Sequence, residues 1–137
     1  MDLREYPHVL YKHWNDGNME AFYGMIAEDV KDVGGGELGL ASVRAVLDAI
    51  RRAFPDFTYT VEHVVADGEW LAVRLLATGT QEGDLFGWPA SGKRATWKEI
   101  RYCRIVDDKT VEHHATIDNL GMLAQLGHVK LPERASW

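Results

Sequence analysis

Residues 57–80 read FTYTVEHVVADGEWLAVRLLATGT, and the period of this stretch decides the fold. Phe57, Tyr59 and Val61 alternate with Thr58, Thr60 and Glu62, the two-residue repeat of a strand with one buried and one wet face. The segment ADGE (66–69), with Asp67-Gly68 at its centre, reads as a hairpin turn, so WLAVRLLATGT is the antiparallel partner, with Leu75, Ala77 and Gly79 looking inward. A long loop, QEGDLFGWPASGK (81–93), returns the chain into a third strand, RATWKEIRYCRIV, and Asp107-Asp108 turn it into a fourth, TVEHHATI.

Upstream the period is helical. Leu3, Tyr6, Leu10 and Trp14 share one face of a helix whose regular part begins near Pro7. After the break at NDGN (15–18), Asn18 caps a second short helix with Glu20 in its first turn and Phe22, Met25 and Ile26 on its buried side. EDVKDVGGGELG reads as a short strand and loop. Val43, Val46, Leu47, Ile50 and Phe54 then mark a third helix that Pro55 stops. Helices followed by consecutive antiparallel strands make an α+β order rather than βαβ. The expected architecture is one domain over residues 1–137: a cone-shaped, curved antiparallel sheet of about four long strands plus a short edge strand, packed on three N-terminal helices, with a short C-terminal helix in NLGMLAQLG. The open end of such a cone is a natural pocket for a small molecule.

The balance of 21 acidic against 15 basic residues, with no basic cluster longer than Arg51-Arg52, argues against nucleic acid or an anionic membrane as partner. The N-terminal stretch lacks the apolar core of a signal peptide, no run approaches the ~18–20 residues of a membrane span, and Cys103 has no disulfide partner, so a cytoplasmic protein is expected. The six histidines show no ligand spacing, and GGG (34–36) lacks the Lys-Ser/Thr of a phosphate loop and reads as a turn, so no metal and no nucleotide is expected.

Four stretches, AFPDFTYTVE (53–62), VRLLATGTQEGDLFGWPASGK (73–93), CRIVDDKTVEHHATID (103–118) and NLGMLAQLG (119–127), together resemble the SnoaL-like polyketide cyclases of the nuclear-transport-factor-2-like, ketosteroid-isomerase-like superfamily, whose domain is a cystatin-like α+β cone. The resemblance implies a cofactor-free enzyme that closes a ring of a hydrophobic polyketide by intramolecular aldol condensation, with Asp118, just before the last helix, as general base. Gln81 stands where the family commonly has histidine, His113-His114-Ala115 where it often has HWD, and Val33-Gly34 where a polar residue is usual. A small-molecule binding protein, or an isomerase that shifts a ketone's double bond, are the alternatives on the same cone.

An aldol closure needs a base for a proton α to a carbonyl and donors for the enolate and new alkoxide. Asp118, at a strand-to-helix junction, suits that base and equally suits a helix N-cap. If Asp118 points into the cone, strand alternation puts His114 on its face, whereas the family pattern favours His113; both stay candidates. Gln81 is expected at the rim as an amide donor to the substrate, and Tyr59 and His63 on the apolar face of the first long strand. Trp97 and Tyr102 fall on opposite faces of the third strand, one of them on the cavity. Phe86 and Trp88 sit on a loop suited to a lid over a ring-bearing substrate. Trp70, on the wet face of the sheet, suggests a homodimer joined through that face.

Overall fold

The structure, a computed structural model of the chain, describes residues 1–32 and 39–133. Its elements run α1 (Tyr6–Asn15), α2 (Met19–Gly24), β1 (Ile26–Asp32), α3 (Leu40–Ala53), β2 (Thr58–Asp67), β3 (Trp70–Thr80), β4 (Arg94–Val106), β5 (Lys109–Ile117) and α4 (Asn119–Gln125). Val33-Gly34 and the glycines at 34–36 lie outside the described residues. The strands form one sheet ordered β1-β5-β4-β3-β2. β2 to β5 are the expected antiparallel meander, and the short edge strand β1 joins parallel to β5. The result is an α+β fold with a curved, open sheet.

Local chemistry explains most boundaries. Trp70 pairs with Asp67, so the first hairpin turns on Gly68-Glu69, one residue later than the sequence suggests, with Gly68 at φ 61°. A positive φ at the first central position is what a II′ turn requires, and glycine meets it without strain. Asp107 and Asp108 both adopt positive φ (51° and 58°) between the paired Val106 and Lys109. α2 ends at Gly24 rather than carrying Met25 and Ile26. The Met25 carbonyl accepts from Thr110 N–H (2.9 Å) and from the Tyr6 hydroxyl (2.5 Å), so β5 captures the chain there and Ile26 starts β1. Asn18 stands at the N-cap of α2 without a side-chain cap bond.

Burial alternates along the whole of β4, with Ala95, Trp97, Glu99, Arg101, Cys103 and Ile105 inward. Two bulges break this regularity elsewhere in the sheet, one in β2 and one in β5. Register passes from Val61↔Leu75 to His63↔Arg74, leaving Glu62 unpaired, and from Arg104↔Glu112 to Ile105↔Thr110, leaving Val111 unpaired. A single extra residue reverses the parity of all that follow.

Trp14, Phe22, Phe57 and Tyr59 form the aromatic core between α1, α2 and the sheet, with ring centroids 4.7–5.5 Å apart. Asn15 fixes α1 to β2 by exchanging 2.8 Å bonds with both backbone groups of Tyr59. α3 is different. Its apolar stripe is clear in the sequence, yet Ala53 is its one buried residue; Val43, Leu47 and Ile50 are half-covered and Val46 is 45 % exposed. That stripe faces a hollow instead of a packed core.

Candidate functional site

The hollow lies between α3, the inner face of the sheet, the 81–93 loop and α4, and has a volume of about 660 Å³. This is the size of a site for a drug-sized ligand. Phe54, Phe57 and Trp97 supply aromatic wall, Val46, Leu47 and Ile50 line it from α3, and Leu85, Phe86 and Trp88 reach it from the loop.

On this apolar chamber sits a row of polar side chains from four strands. β4 contributes Glu99 and Arg101, β2 Tyr59, β5 His113 and β1 Asp32, all on the cavity surface. Glu99 is 3 % exposed; its Oε2 accepts from Trp97 Nε1 (2.8 Å), and its Oε1 accepts from Arg101 Nε (3.1 Å), from Arg101 Nη2 and from the Tyr59 hydroxyl (3.4 Å). Arg101 Nη2 also donates to the Tyr59 oxygen (3.3 Å), and Nη1 lies 3.1 Å from His113 Nε2. On the far side of that imidazole, Nδ1 is 3.4 Å from Asp32 Oδ1.

Protonation follows from these contacts. Burial works against a charged guanidinium at Arg101, but the Glu99 carboxylate and the buried phenols outweigh it and hold its pKa well above the ordinary value. Burial lowers the His113 pKa below its ordinary 6.5; the Asp32 bond opposes this and the Arg101 charge adds to it. A neutral His113 beside a guanidinium that can only donate has one consistent tautomer: Nε2 accepts from Arg101 and Nδ1–H points to Asp32. Burial pushes the Cys103 thiol up to about 12, so this cavity residue is a neutral wall atom rather than a nucleophile.

The candidates sort as follows. Tyr59, Trp97, Phe86, Trp88 and His113 are on the cavity. His114 is on the outer face, 3.2 Å from Glu112, because Ile117, Ala115 and His113 are the inward set of β5. The count made from Asp118 fails because Asp118 is no longer in the strand: at ψ 70° it turns the chain into α4. His63 is exposed, since the bulge at Glu62 hands the inner face to Val64 and Ala66. Tyr102 is also outside, stacked on Trp70 at 4.7 Å and 16°.

Gln81 is fully buried and does not reach the cavity. Its Nε2 donates to the carbonyls of Trp88 (2.9 Å) and Gly83 (3.2 Å), and its Oε1 lies 2.7 Å from His128 Nε2. Both ends of the amide serve to hold the loop that carries Phe86 and Trp88 against the segment after α4. Asp118 is exposed; its Oδ1 accepts from Gly121 N–H at 2.9 Å, capping α4, and Oδ2 has no partner among the described residues. The neighbours Ile117 and Asn119 line the cavity.

Glu99, Arg101 and Asp32 were not singled out from the sequence. A signal was there in β4: Glu99 and Arg101, of opposite charge, share parity with Trp97 and Cys103, which places two charges on a strand's apolar face. Among the described residues no three His, Cys, Asp or Glu side chains converge as a metal site, and no helix is long and apolar enough to cross a membrane.

The family model of the SnoaL-like polyketide cyclases matches residues 7–126. The chain is 39% identical over 61 residues to the aklanonic acid methyl ester cyclase DnrD of Streptomyces peucetius, covering 44% of this chain and 42% of that protein. It is 33% identical over 70 residues to the nogalonic acid methyl ester cyclase of Streptomyces nogalater, covering 51% and 52%. These matches thus span about half the length of the curated relatives. Among solved structures, wild-type IdmH of Streptomyces antibioticus, a protein proposed to be a polyketide cyclase, superposes with a TM-score of 0.82 at 29% identity over 93% of this chain and 99% of that one. AclR of Streptomyces galilaeus, proposed to be a hydroxylase, gives 0.82 at 24% identity over 91% and 95%, a likeness of fold alone.

Proposed function

The chain belongs to the SnoaL-like polyketide cyclase family, and from that membership we propose that it closes a ring of a hydrophobic polyketide by intramolecular aldol addition, using general acid–base chemistry of its own side chains and no cofactor. The observation that carries this reading is the α3 stripe, whose Val43, Val46, Leu47 and Ile50 face a chamber of about 660 Å³ that also holds a buried polar row. Apolar surface left uncovered in this way favours a ligand that covers it, at roughly 25 cal/mol per Å² removed from water.

In this reading Asp118 takes the proton from a carbon α to a carbonyl. The enolate carbon then attacks a second carbonyl of the same molecule, a C–C bond forms, and the resulting alkoxide takes up a proton; no oxidant or reductant is consumed. Capping and catalysis at Asp118 are compatible in magnitude. Releasing the Gly121 N–H costs typically ~1 kcal/mol, about a fivefold factor, whereas a placed general base contributes roughly 10²–10⁴-fold. Asp32, inside the cavity beside His113, is the carboxylate that would take over the role if Asp118 proved dispensable.

The test is incubation with aklanonic acid methyl ester and nogalonic acid methyl ester, the compounds after which the two cyclase relatives are named. Aldol closure is an isomerisation, so the expected product has a new chromatographic position at unchanged mass. A second reading, a small-molecule binding protein, is favoured by the engagement of Asp118 Oδ1 in the helix cap. Saturable binding of these compounds with no product over many hours would decide for it. The proposal includes a homodimer through the outer sheet face, supported by the stacked Trp70 and Tyr102 beside Ile100, which is 52 % exposed.

A further inference from the structure

We propose that Arg101 is the oxyanion donor of the cavity, holding the enolate or alkoxide oxygen of a planar, apolar carbonyl ligand through the one N–H its neighbours leave over. This rests on the acid–base reading above and assigns the residue that receives the developing negative charge. A guanidinium has five N–H donors in a rigid plane. Nε–H goes to Glu99, the two on Nη2 to Glu99 and the Tyr59 hydroxyl, and one on Nη1 to His113 Nε2. No partner for the second Nη1 hydrogen is found among the described residues, and the group lies on the cavity surface while only 9 % exposed.

The surroundings make this donor preorganised. Glu99 and Tyr59 fix one edge of the plane and His113 the other, so placing the last N–H requires no reordering when charge develops, which is the condition under which such donors are most effective. Glu99 itself is unsuited to act as a base, because Trp97, Arg101 and Tyr59 occupy both its oxygens. Of the charged groups facing the guanidinium, Glu99 touches it and Asp32 lies beyond the imidazole, so the guanidinium is where an incoming anion finds its attraction. Stability alone does not account for the arrangement, since a buried ion pair is often matched or bettered by apolar side chains of similar volume. His113 is in this scheme a positioning residue: as neutral imidazole it accepts from Nη1 and so fixes which hydrogen is left for the ligand.

The experiment reads the site without turnover. 4-Nitro-1-naphthol has a coloured anion, so its ionisation when bound can be titrated by absorbance. Wild-type protein is expected to bind the anion about tenfold more tightly than the neutral form, seen as a fall of about one unit in the bound naphthol's pKa. The double variant Arg101→Met/Glu99→Met removes both charges together and leaves neither one orphaned; its expected result is retained naphthol binding with that preference gone. Equal affinity of the wild type for both forms, or a preference that survives in the double variant, overturns the assignment. Should the double variant not fold, a crystal structure of the wild type with the naphtholate decides: its oxygen within 3.2 Å of Arg101 Nη1 supports the proposal, and an oxygen placed elsewhere sinks it. Anion preference without cyclisation would remove the cyclase reading and keep this site, whereas cyclisation at wild-type rate in the double variant would do the reverse.

Discussion

The carboxylate of Asp118 occupies the space in which residue 121 would carry a side chain: Oδ1 accepts the Gly121 N–H at 2.9 Å, and a Cβ built on Gly121 would overlap Oδ2. Glycine in the first turn of α4 is therefore what lets the cap and the proposed base share one place. Gly121→Ala should gain roughly 1 kcal/mol of helix propensity and lose roughly 1 kcal/mol of capping, leaving the thermal midpoint nearly unchanged. Turnover should drop at least tenfold as the carboxylate is displaced. Circular-dichroism melts and an activity assay on the same sample check both halves.

Asp118→Asn separates the two roles more sharply. Asparagine caps helices about as well as aspartate, so unfolding free energy should stay within about 0.5 kcal/mol of wild type. An amide cannot accept the proton, and cyclisation should fall by roughly 10²–10⁴-fold. Retained activity in this variant moves the base to Asp32.

His113 predicts a pH dependence of stability. Burial lowers its folded pKa below the ordinary 6.5. Between those two values the unfolded chain holds a proton that the native one does not, so this contribution is present above about pH 6.5 and is lost as pH falls through the window beneath it. Urea midpoints at pH 8 and pH 5 should differ more for wild type than for His113→Asn, since the remaining titrating groups are shared.

Gln81→Ala should loosen the loop that carries Phe86 and Trp88. The Gly83 carbonyl and the ring of His128 lose the Gln81 amide together, and the Trp88 carbonyl keeps only the Leu85 N–H, at a cost of about 1–3 kcal/mol for a polar group left unpaired away from water. Limited proteolysis should then cut between residues 82 and 92, and KM should rise more than kcat falls. Protection equal to wild type would show that the loop is held by other contacts, such as the Leu85–Trp88 backbone pair.

The outer face offers a test of assembly. Tyr102, 48 % exposed and stacked on Trp70, is the centre of the proposed dimer contact. Sedimentation equilibrium should give a dimer for wild type and a monomer for Tyr102→Asp, with an unchanged far-ultraviolet spectrum. A monomeric wild type at micromolar concentration would remove the dimer from the proposal.

Local chemistry carried the architecture. The two-residue period of FTYTVE, Gly68 in its turn, the Asp107-Asp108 reversal and the Pro55 stop each act within a few residues of chain, so the sequence alone determined four long strands after three helices and a cavity at their open end. The aromatic loop residues and Trp97 also fall on that cavity. What tertiary structure decided was which side chains face it. His63 and His114 fall outside and His113 inside because facing is a matter of parity: one extra residue at Glu62 reverses β2, and Asp118 leaves β5 before it can set the count. Gln81 and His128, 47 residues apart, meet only once α4 packs beside the loop. The polar row likewise joins residues from four strands, and pairing between distant segments is set by the whole sheet's register, which no short stretch encodes.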